Sequence, residues 1–222
     1  MTNISTASDV PRRGQRVASW PVAAGLLLVV LLAGVWLERA PLLRGAAELW
    51  IVSDPITPAD AVAVLGGDLD TRPFEAADLY KKGLVPKVLV SRVEEGRAST
   101  MGLIPGHSEL NRIVLLKLGV PDTAIETFGE ANGSTRDEAL ALRVWADRHG
   151  VTRIIIPIEV FSARRVRWIF DRKFVGSSVA IEIATIGQND SHAEWWKSEK
   201  AMIAFQNEIL KYLYYRLKYR AG

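Results

Sequence analysis

Residues 59–72 read ADAVAVLGGDLDTR, and this stretch decides the fold class. The apolar run at 61–65 has the length and composition of a strand that is covered on both faces. Two glycines follow it, and a helical pattern begins at Arg72. Because the same alternation recurs along the chain, it predicts an α/β domain with a doubly wound, mostly parallel sheet in a Rossmann-like, three-layer arrangement.

The other predicted elements follow the same alternation. Strands are expected at 87–91, 153–157 and 179–184, with a short one near 124–128. Helices are expected at 72–82, 108–118, 134–149 and 163–174. In such sheets ligands bind outside the carboxyl ends of the strands, so the loop after each strand is where a site is expected.

An uncharged apolar run, WPVAAGLLLVVLLAGVWL, occupies residues 20–37. As a helix it would span about 27 Å, near the short end of what a hydrocarbon core requires. We expect one transmembrane anchor. A cleaved signal peptide and a buried core helix are the alternatives. The length of the run and Pro41 weigh against cleavage, and the lack of polar positions weighs against a soluble core helix.

Charges beside the apolar run predict its orientation. Three arginines precede it at positions 12, 13 and 16, whereas the two that follow are offset by Glu38 and Glu48. We expect a cytoplasmic segment (1–19), an anchor (20–37), a proline-marked linker (38–58) and a main domain (59–222). The prediction is a single-pass protein of the inner membrane, in contact with its lipid bilayer, whose main domain lies on the periplasmic side.

The amino-acid composition restricts the kinds of site and partner that the chain can have. The 222-residue chain has no cysteine, which excludes disulfides, thiolate catalysis and cysteine-based metal sites. Its net charge of +3 comes from scattered residues rather than a dense basic block, so we expect no nucleic-acid partner. His107, His149 and His192 form no zinc motif. We predict no metal ligands, although Mg²⁺ or Mn²⁺ at carboxylates stays open, and we assign no cofactor.

Among the loops that follow predicted strands, the first gives the strongest indication of a ligand site. Gly66 and Gly67 can present backbone N–H groups to an anion, or can form a tight turn that needs a positive φ. Arg72 favours an anionic ligand. Glu75 lies on the same helix face as Arg72 and could either pair with it or act on the substrate.

Several weak motifs, taken together, resemble the YdcF-like family, which includes the SanA/ElyC-like envelope proteins. The motifs are ADAVAVLGG at 59–67, Arg72, Glu75, Ala76, Gly83, Ser91, Glu109 ahead of LGVP at 118–121, Ser134, Thr135, Glu138 and FSARR at 161–165. The resemblance covers about residues 59–175. It implies an α/β domain tethered to the bacterial inner membrane, with a role in the envelope barrier and in peptidoglycan or surface-polysaccharide assembly, and no settled reaction.

The resemblance also implies which residues line a cleft. Carried over by position, these are Gly66, Gly67, Arg72, Glu75, Glu109, Thr135, Glu138 and Arg165. Ser91 and Ser162 complete the predicted ligand-binding set. Many relatives have a histidine where this chain has Ser162, so a histidine-based acid/base step is in doubt.

Physical reasoning supports only part of this set. Arg165 falls near the start of a helix, where a cation opposes the helix dipole and tends to be kept for a partner or ligand. Ser134 lies before a helical run with Asp137 three residues later, which favours an N-terminal cap. Thr135 is as consistent with capping as with ligand contact.

Candidate catalytic residues are Glu75, Glu109 and Asp68. The first two come from different helices, so their separation is not fixed by the sequence. Asp68 opens the sequence DLDT at 68–71, which matches the DxDxT loop of haloacid-dehalogenase-type phosphatases. Against this alternative, two glycines separate the motif from the strand, and no later strand ends in an acidic pair for Mg²⁺.

The C-terminal tail interleaves aromatic and basic residues, and its apolar residues recur at helical spacing from Met202 to Leu213. It predicts an amphipathic helix that packs on the sheet, with its basic end as an alternative contact for anionic lipid. Two function classes follow for the chain. One is an envelope enzyme acting on a phosphate-bearing or lipid-linked saccharide precursor, and the other is a non-catalytic module that binds such an anion.

Overall fold

The structure is a computed structural model that describes residues 20–187 and 192–220. The chain divides into two compact units, Met1–Leu42 and Leu43–Gly222. The arginines at positions 12, 13 and 16 lie outside the described residues, so the orientation stays a prediction.

Helix α1 (Trp20–Leu37) lies in the first unit. Its 18 residues have a mean hydropathy of 2.3, and none of them is buried. This exposure argues against a buried core helix. By length and composition α1 can cross a membrane, a test that a signal sequence near the N-terminus also passes.

A second helix, α2 (Arg39–Trp50), occupies most of the segment that the prolines had marked as a linker. Pro41 is its third residue. A proline is tolerated there because the N–H groups of the first turn have no partner inside the helix. The sequence pattern did not predict α2.

Five parallel strands form the sheet of the second unit: β1 (Ala61–Val64), β2 (Val88–Val93), β3 (Ile125–Asn132), β4 (Arg153–Glu159) and β5 (Ala180–Ile186). All five predicted strands are present, and β3 is longer than expected. The order is β3-β2-β1-β4-β5, so the chain moves outward from β1 to β3 and returns to place β4 on the other side of β1. The strand order therefore switches between β1 and β4.

The remaining helices are α3 (Arg72–Lys81), α4 (Arg97–Thr100), α5 (His107–Lys117), α6 (Thr135–His149), α7 (Ala163–Lys173) and α8 (Glu199–Lys218). The four helices expected within the alternation and the helix of the tail are confirmed. The four-residue α4 was not predicted.

Alternate residues of β1 belong to two separate core clusters. Val62 and Val64 join buried residues of α3 and α5, such as Leu79 and Leu115. Ala61, Ala63 and Leu65 join residues of α6 and α7 such as Leu142 and Phe170. Both faces of the strand are therefore buried, which explains why the strands are continuous apolar runs.

A third cluster positions α8. Phe205 of α8 packs with Ala47, Val160, Phe161 and Trp195. The ring of Trp50, at the end of α2, lies edge-on to Phe205 and Tyr212, with centroids 5.7 Å and 5.4 Å apart. Helix α8 is thus amphipathic as predicted, but it packs on α7 and on this cluster rather than directly on the sheet.

Candidate functional site

Two adjoining cavities open at the carboxyl ends of β1 and β4, where the strand order switches. The first cavity, of about 510 Å³, lies toward the end of β2 and is lined by Glu94, Glu95, Asn132 and Glu138. The second cavity, of about 440 Å³, lies toward α7 and α8. Both are lined by Gly66, Gly67 and residues 133–135, so they form one cleft. This is where a sheet of this order binds ligands.

The two glycines form a tight turn between the cavities. Gly67 has a φ of +134°, and a Cβ there would lie 2.8 Å from Nη1 of Arg72. A Cβ at Gly66 would collide with the side chain of Val93. The turn interpretation is confirmed, and no larger residue fits either position without displacing its neighbours.

Glu138 is a buried carboxyl group at the wall of the first cavity. Its Oε1 accepts a hydrogen bond of 2.6 Å from the Gly66 N–H, so that N–H is not free for an anion. Ser91 also hydrogen-bonds Glu138, and the hydroxyl of Ser91 accepts from Nδ2 of Asn132 at 3.0 Å. Burial raises the pKa of Glu138, although the hydrogen bonds and the charges of Arg72 and Arg165 oppose the shift.

Arg72 is held by a carboxylate that the sequence analysis had not singled out. Its Nε and Nη2 donate to the two oxygens of Glu159 at 2.9 Å and 2.6 Å, a bidentate pair. Nη1 donates to the carbonyls of Leu65 and Gly66. Burial alone would raise the pKa of Glu159, but the hydrogen bonds and charge of Arg72 keep it below its usual value. Arg72 thus pairs with Glu159 rather than Glu75, and it fixes the glycine turn.

A second buried pair closes the other side of the cleft. Arg165 of α7 donates from Nε and Nη2 to Glu208 of α8, at 2.6 Å and 3.1 Å. Its Nη1 donates to the hydroxyl of Thr135 at 2.9 Å. Lys211 binds the same carboxylate at 3.0 Å, but its side chain is 57% exposed and can turn toward a ligand.

His107 reaches the glycine turn from the start of α5. Nδ2 of Asn111 donates to Nδ1 of His107 at 2.9 Å and to the His107 carbonyl at 3.0 Å, so Nδ1 is an acceptor. The proton is then on Nε2, which donates to the Gly67 carbonyl at 2.9 Å. Nε2 also lies 3.3 Å from the Gly67 N–H, so the ring of His107 lies against both polar backbone groups of Gly67.

The helix that begins at the cleft is capped as predicted. The Ser134 hydroxyl accepts from the Asp137 N–H at 3.3 Å and donates to the Asp137 carboxylate at 2.7 Å. The hydroxyl of Thr135 accepts a hydrogen bond from Arg165 instead.

The proposed catalytic carboxylates do not converge. Glu75 is half-buried on α3, and its carboxylate has no hydrogen-bond or ion-pair partner within the described residues. Glu109 is exposed and lines a groove beside Ser108 that shares Val93 and Glu95 with the first cavity, but Glu109 does not line the cavity itself. Asp68 accepts from the Asp70 N–H at 2.8 Å, which makes it the first residue of a local turn. Ser162 lines the second cavity at the start of α7.

Several residues in and around the cleft were not proposed from the sequence, among them His107, Asn132, Glu159, Glu208 and Lys211. Two of them carry a signal in hindsight. Glu159 is a charged residue that ends an apolar strand, and Glu208 is the lone acidic residue between 200 and 222.

The two cavities differ in charge. Arg72, Arg165 and Lys211 line the second cavity, and their ion-pair partners within the described residues are Glu159 and Glu208. These ion pairs contain three cations and two carboxylates, so one positive charge is in excess among them. The first cavity has carboxyl and amide oxygens, and no lysine or arginine is among the described residues that line it.

In the part of the chain that the structure describes, no group of three or more His, Asp or Glu side chains is arranged to hold a metal ion.

Comparisons with known proteins do not assign the cleft. No family model matches the chain, and a search of curated proteins finds no significant match.

Glu208→Gln tests the buried pair. The substitution leaves Arg165 without its counter-charge, and losing one partner of a buried pair typically costs about 3–5 kcal/mol of the free energy of unfolding. Urea unfolding of the full chain in detergent, followed by circular dichroism, measures the loss. Glu194→Gln is the matched control, because the Glu194–Lys197 pair is exposed and should contribute less than about 1 kcal/mol. A loss no larger than that of the control would contradict the structural role of the pair.

Glu138→Gln should change how stability depends on pH. Between the unfolded pKa of 4.5 and the higher folded pKa, the folded state binds more protons than the unfolded state. The contribution of Glu138 to the free energy of unfolding is therefore largest in acid and declines as the pH rises through that window. Glutamine removes this titration, so urea midpoints should fall less steeply with pH in the variant than in the parent. Equal slopes in the variant and the parent would contradict a raised pKa for Glu138.

Proposed function

We propose that this chain is a membrane-anchored envelope protein whose cleft binds, or processes, a phosphate-bearing saccharide precursor, free or lipid-linked. The observation that carries the proposal is the charge division of the cleft. The ion pairs of the second cavity have one positive charge in excess, and the first cavity has hydrogen-bond acceptors on the other side of the glycine turn. A phosphate group suits the second cavity because of its positive charge. Sugar hydroxyls suit the first cavity because they can donate hydrogen bonds to its acceptors.

The wider context of the proposal comes from the YdcF-like resemblance and from α1. We interpret the α/β fold as Rossmann-like and three-layered, because the strand order changes between β1 and β4 and β1 contributes to two core clusters. We interpret α1 as a single transmembrane anchor with a cytoplasmic N-terminus. The cleft would then face the periplasm and the precursors used in peptidoglycan or surface-polysaccharide assembly.

Two versions of the function are distinguished by Glu138. As a buried carboxyl group with a raised pKa, it can donate a proton to a leaving oxygen held in the cleft, which is the enzymatic version. The non-catalytic binding module is favoured by a different observation, namely that Glu75, Glu109 and Asp68 do not meet in the cleft. A phosphatase step through Asp68 has no such support, because its carboxylate is engaged in a local turn.

A matched pair of ligands tests the binding. We expect the full chain in detergent to bind N-acetylglucosamine 1-phosphate, whereas N-acetylglucosamine, which lacks the phosphate, should bind weakly or not at all. Lys211→Gln should weaken binding of the phosphate form about tenfold, since it removes one charge-assisted contact. Isothermal titration calorimetry measures both. Lys197→Gln is the control, because Lys197 makes the same i,i+3 pair with Glu194 away from the cleft. Equal affinity for the two ligands would refute the phosphate subsite.

The same ligand separates the two versions. If the chain is an enzyme, it should release phosphate from the probe, and Glu138→Gln should slow that release by a factor of about 10² or more while binding persists. Binding without release, in the parent protein as in the variant, supports the module.

Topology is tested independently of the cleft. A reporter active only outside the cytoplasm, fused after Gly222, should be active in intact cells, because the proposal places the second unit in the periplasm. A cytoplasmic reporter at the same position should be silent. The reverse result would place the cleft among soluble cytoplasmic ligands and refute the envelope assignment.

A further inference from the structure

Helix α8 has two apolar faces, only one of which the domain covers. Phe205, Ile209 and Tyr212 pack against the aromatic cluster. The opposite side exposes an apolar stripe at 203, 210, 213, 214 and 217, in which Leu210 and Leu217 are 65% and 76% exposed. At 100° per residue these positions form a single band along the helix. We call this band the outer stripe.

Basic residues flank the outer stripe. Lys200 and Lys211 lie along one side of it, and Arg216 lies along the other, where Arg220 follows just past the helix. The only acidic residue between 200 and 222 is Glu208, which is buried in its pair with Arg165. The exposed charges of α8 after its first residue are therefore all positive, and its other exposed side chains are apolar or, as at Gln206 and Asn207, uncharged.

The segment that opens the second unit packs on α8. Leu43, where the second unit begins, follows the end of α1 by six residues, which span at most about 20 Å. Within the second unit, Trp50 packs directly on Phe205 and Tyr212 of α8. The segment nearest to the anchor in the chain is thus the one that holds α8.

We propose that the outer stripe of α8 is a docking surface for an anionic lipid bilayer. Leu210, Leu213 and Leu217 would enter the boundary between headgroups and acyl chains, and the flanking cations would contact lipid phosphates. A second copy of the chain fits less well, because a symmetric pairing of two such helices would set like charges along its edges. The proposal goes beyond the proposed function: it uses the anchor only for proximity and does not depend on what the cleft binds.

Docking would also bring the cleft to the membrane. Lys211, Tyr214 and Tyr215 of α8 line the second cavity, and Tyr214 belongs to the outer stripe as well. A ligand carried in the bilayer could therefore enter the cavity without leaving the lipid surface.

The absence of native cysteine permits a direct test on the full chain. Leu217→Cys and, as a control, Val175→Cys are labelled with an environment-sensitive fluorophore. Val175 is 72% exposed and lies between α7 and β5. Each protein is reconstituted into vesicles of phosphatidylcholine, alone or with phosphatidylglycerol, that contain a lipid-borne quencher near the headgroups.

The expected result is that the label at 217 shifts to the blue and loses most of its emission in vesicles that contain phosphatidylglycerol, and less in phosphatidylcholine alone. The label at 175 should remain exposed to water in both kinds of vesicle. Adding Arg216→Gln and Lys218→Gln to Leu217→Cys should weaken docking roughly fivefold for each charge removed. Salt should have the same effect, because it screens the attraction.

Two outcomes would overturn the proposal. Equal quenching at 217 and 175 would show that α8 does not lie on the lipid. A label at 217 that is shielded in detergent as well as in vesicles, together with disulfide-linked dimers of the unlabelled variant, would show that a second copy covers the stripe. A failure of α1 to anchor the chain is detected separately, by extraction of the protein from the vesicles with alkaline carbonate.

Discussion

The bidentate pair of Arg72 and Glu159 joins the two strands at which the strand order changes. Arg72 follows the loop of β1, and Glu159 is the last residue of β4. The helices after these strands belong to opposite core clusters, so their loops diverge and leave a crevice. The pair crosses that crevice, and the same guanidinium binds the carbonyl of Gly66. The conformation of the glycine turn, and with it the shape of both cavities, depends on this contact.

Three carboxyl groups in the cleft have different partners. Glu159, which is partly exposed, and Glu208, which is buried, each face an arginine whose planar fork matches two oxygens. For Glu159 the hydrogen bonds and charge of Arg72 lower the pKa. Glu138 has no ion-pair partner within 4 Å among the described residues, and its contacts are an N–H and a hydroxyl group. Burial then outweighs the distant arginines and raises its pKa. The pKa values of Glu159 and Glu138 are thus shifted in opposite directions because their partners differ.

Much of the fold could be predicted from the sequence because double-sided burial leaves an unmistakable pattern. Strand β1 and the middle of β4 are buried on both faces, so they are apolar at successive positions, and helical patterns alternate with such strands along the chain. Helix α2 escaped prediction because Pro41 looks like a linker residue unless its place in the first helical turn is known. The local features of the site, the turn at Gly67 and the cap at Ser134, were also predictable, since they involve residues only a few positions apart.

The partners of the two arginines were not predictable from local pattern. Arg72 and Glu159 are 87 residues apart in the chain, and Arg165 and Glu208 are 43 apart, so only the folded sheet brings them together. Glu75 and Glu109 are the opposite case, because they were proposed as site residues from the sequence but do not meet in the cleft. Each lies on a helix that borders the cleft region, but the rotation of a helix about its axis decides which side chains face inward, and a single sequence fixes that rotation poorly.

The site is completed by the end of the chain. Glu208, Lys211 and Tyr215 wall the second cavity, and all of them belong to the last helix. During synthesis, Arg165 emerges from the ribosome well before the carboxylate that neutralises it. The sheet can therefore be assembled while the cleft is still open on one side and carries an unpaired buried arginine. A chain that is cut short before α8 would lack one wall of the pocket and the carboxylate that pairs with Arg165.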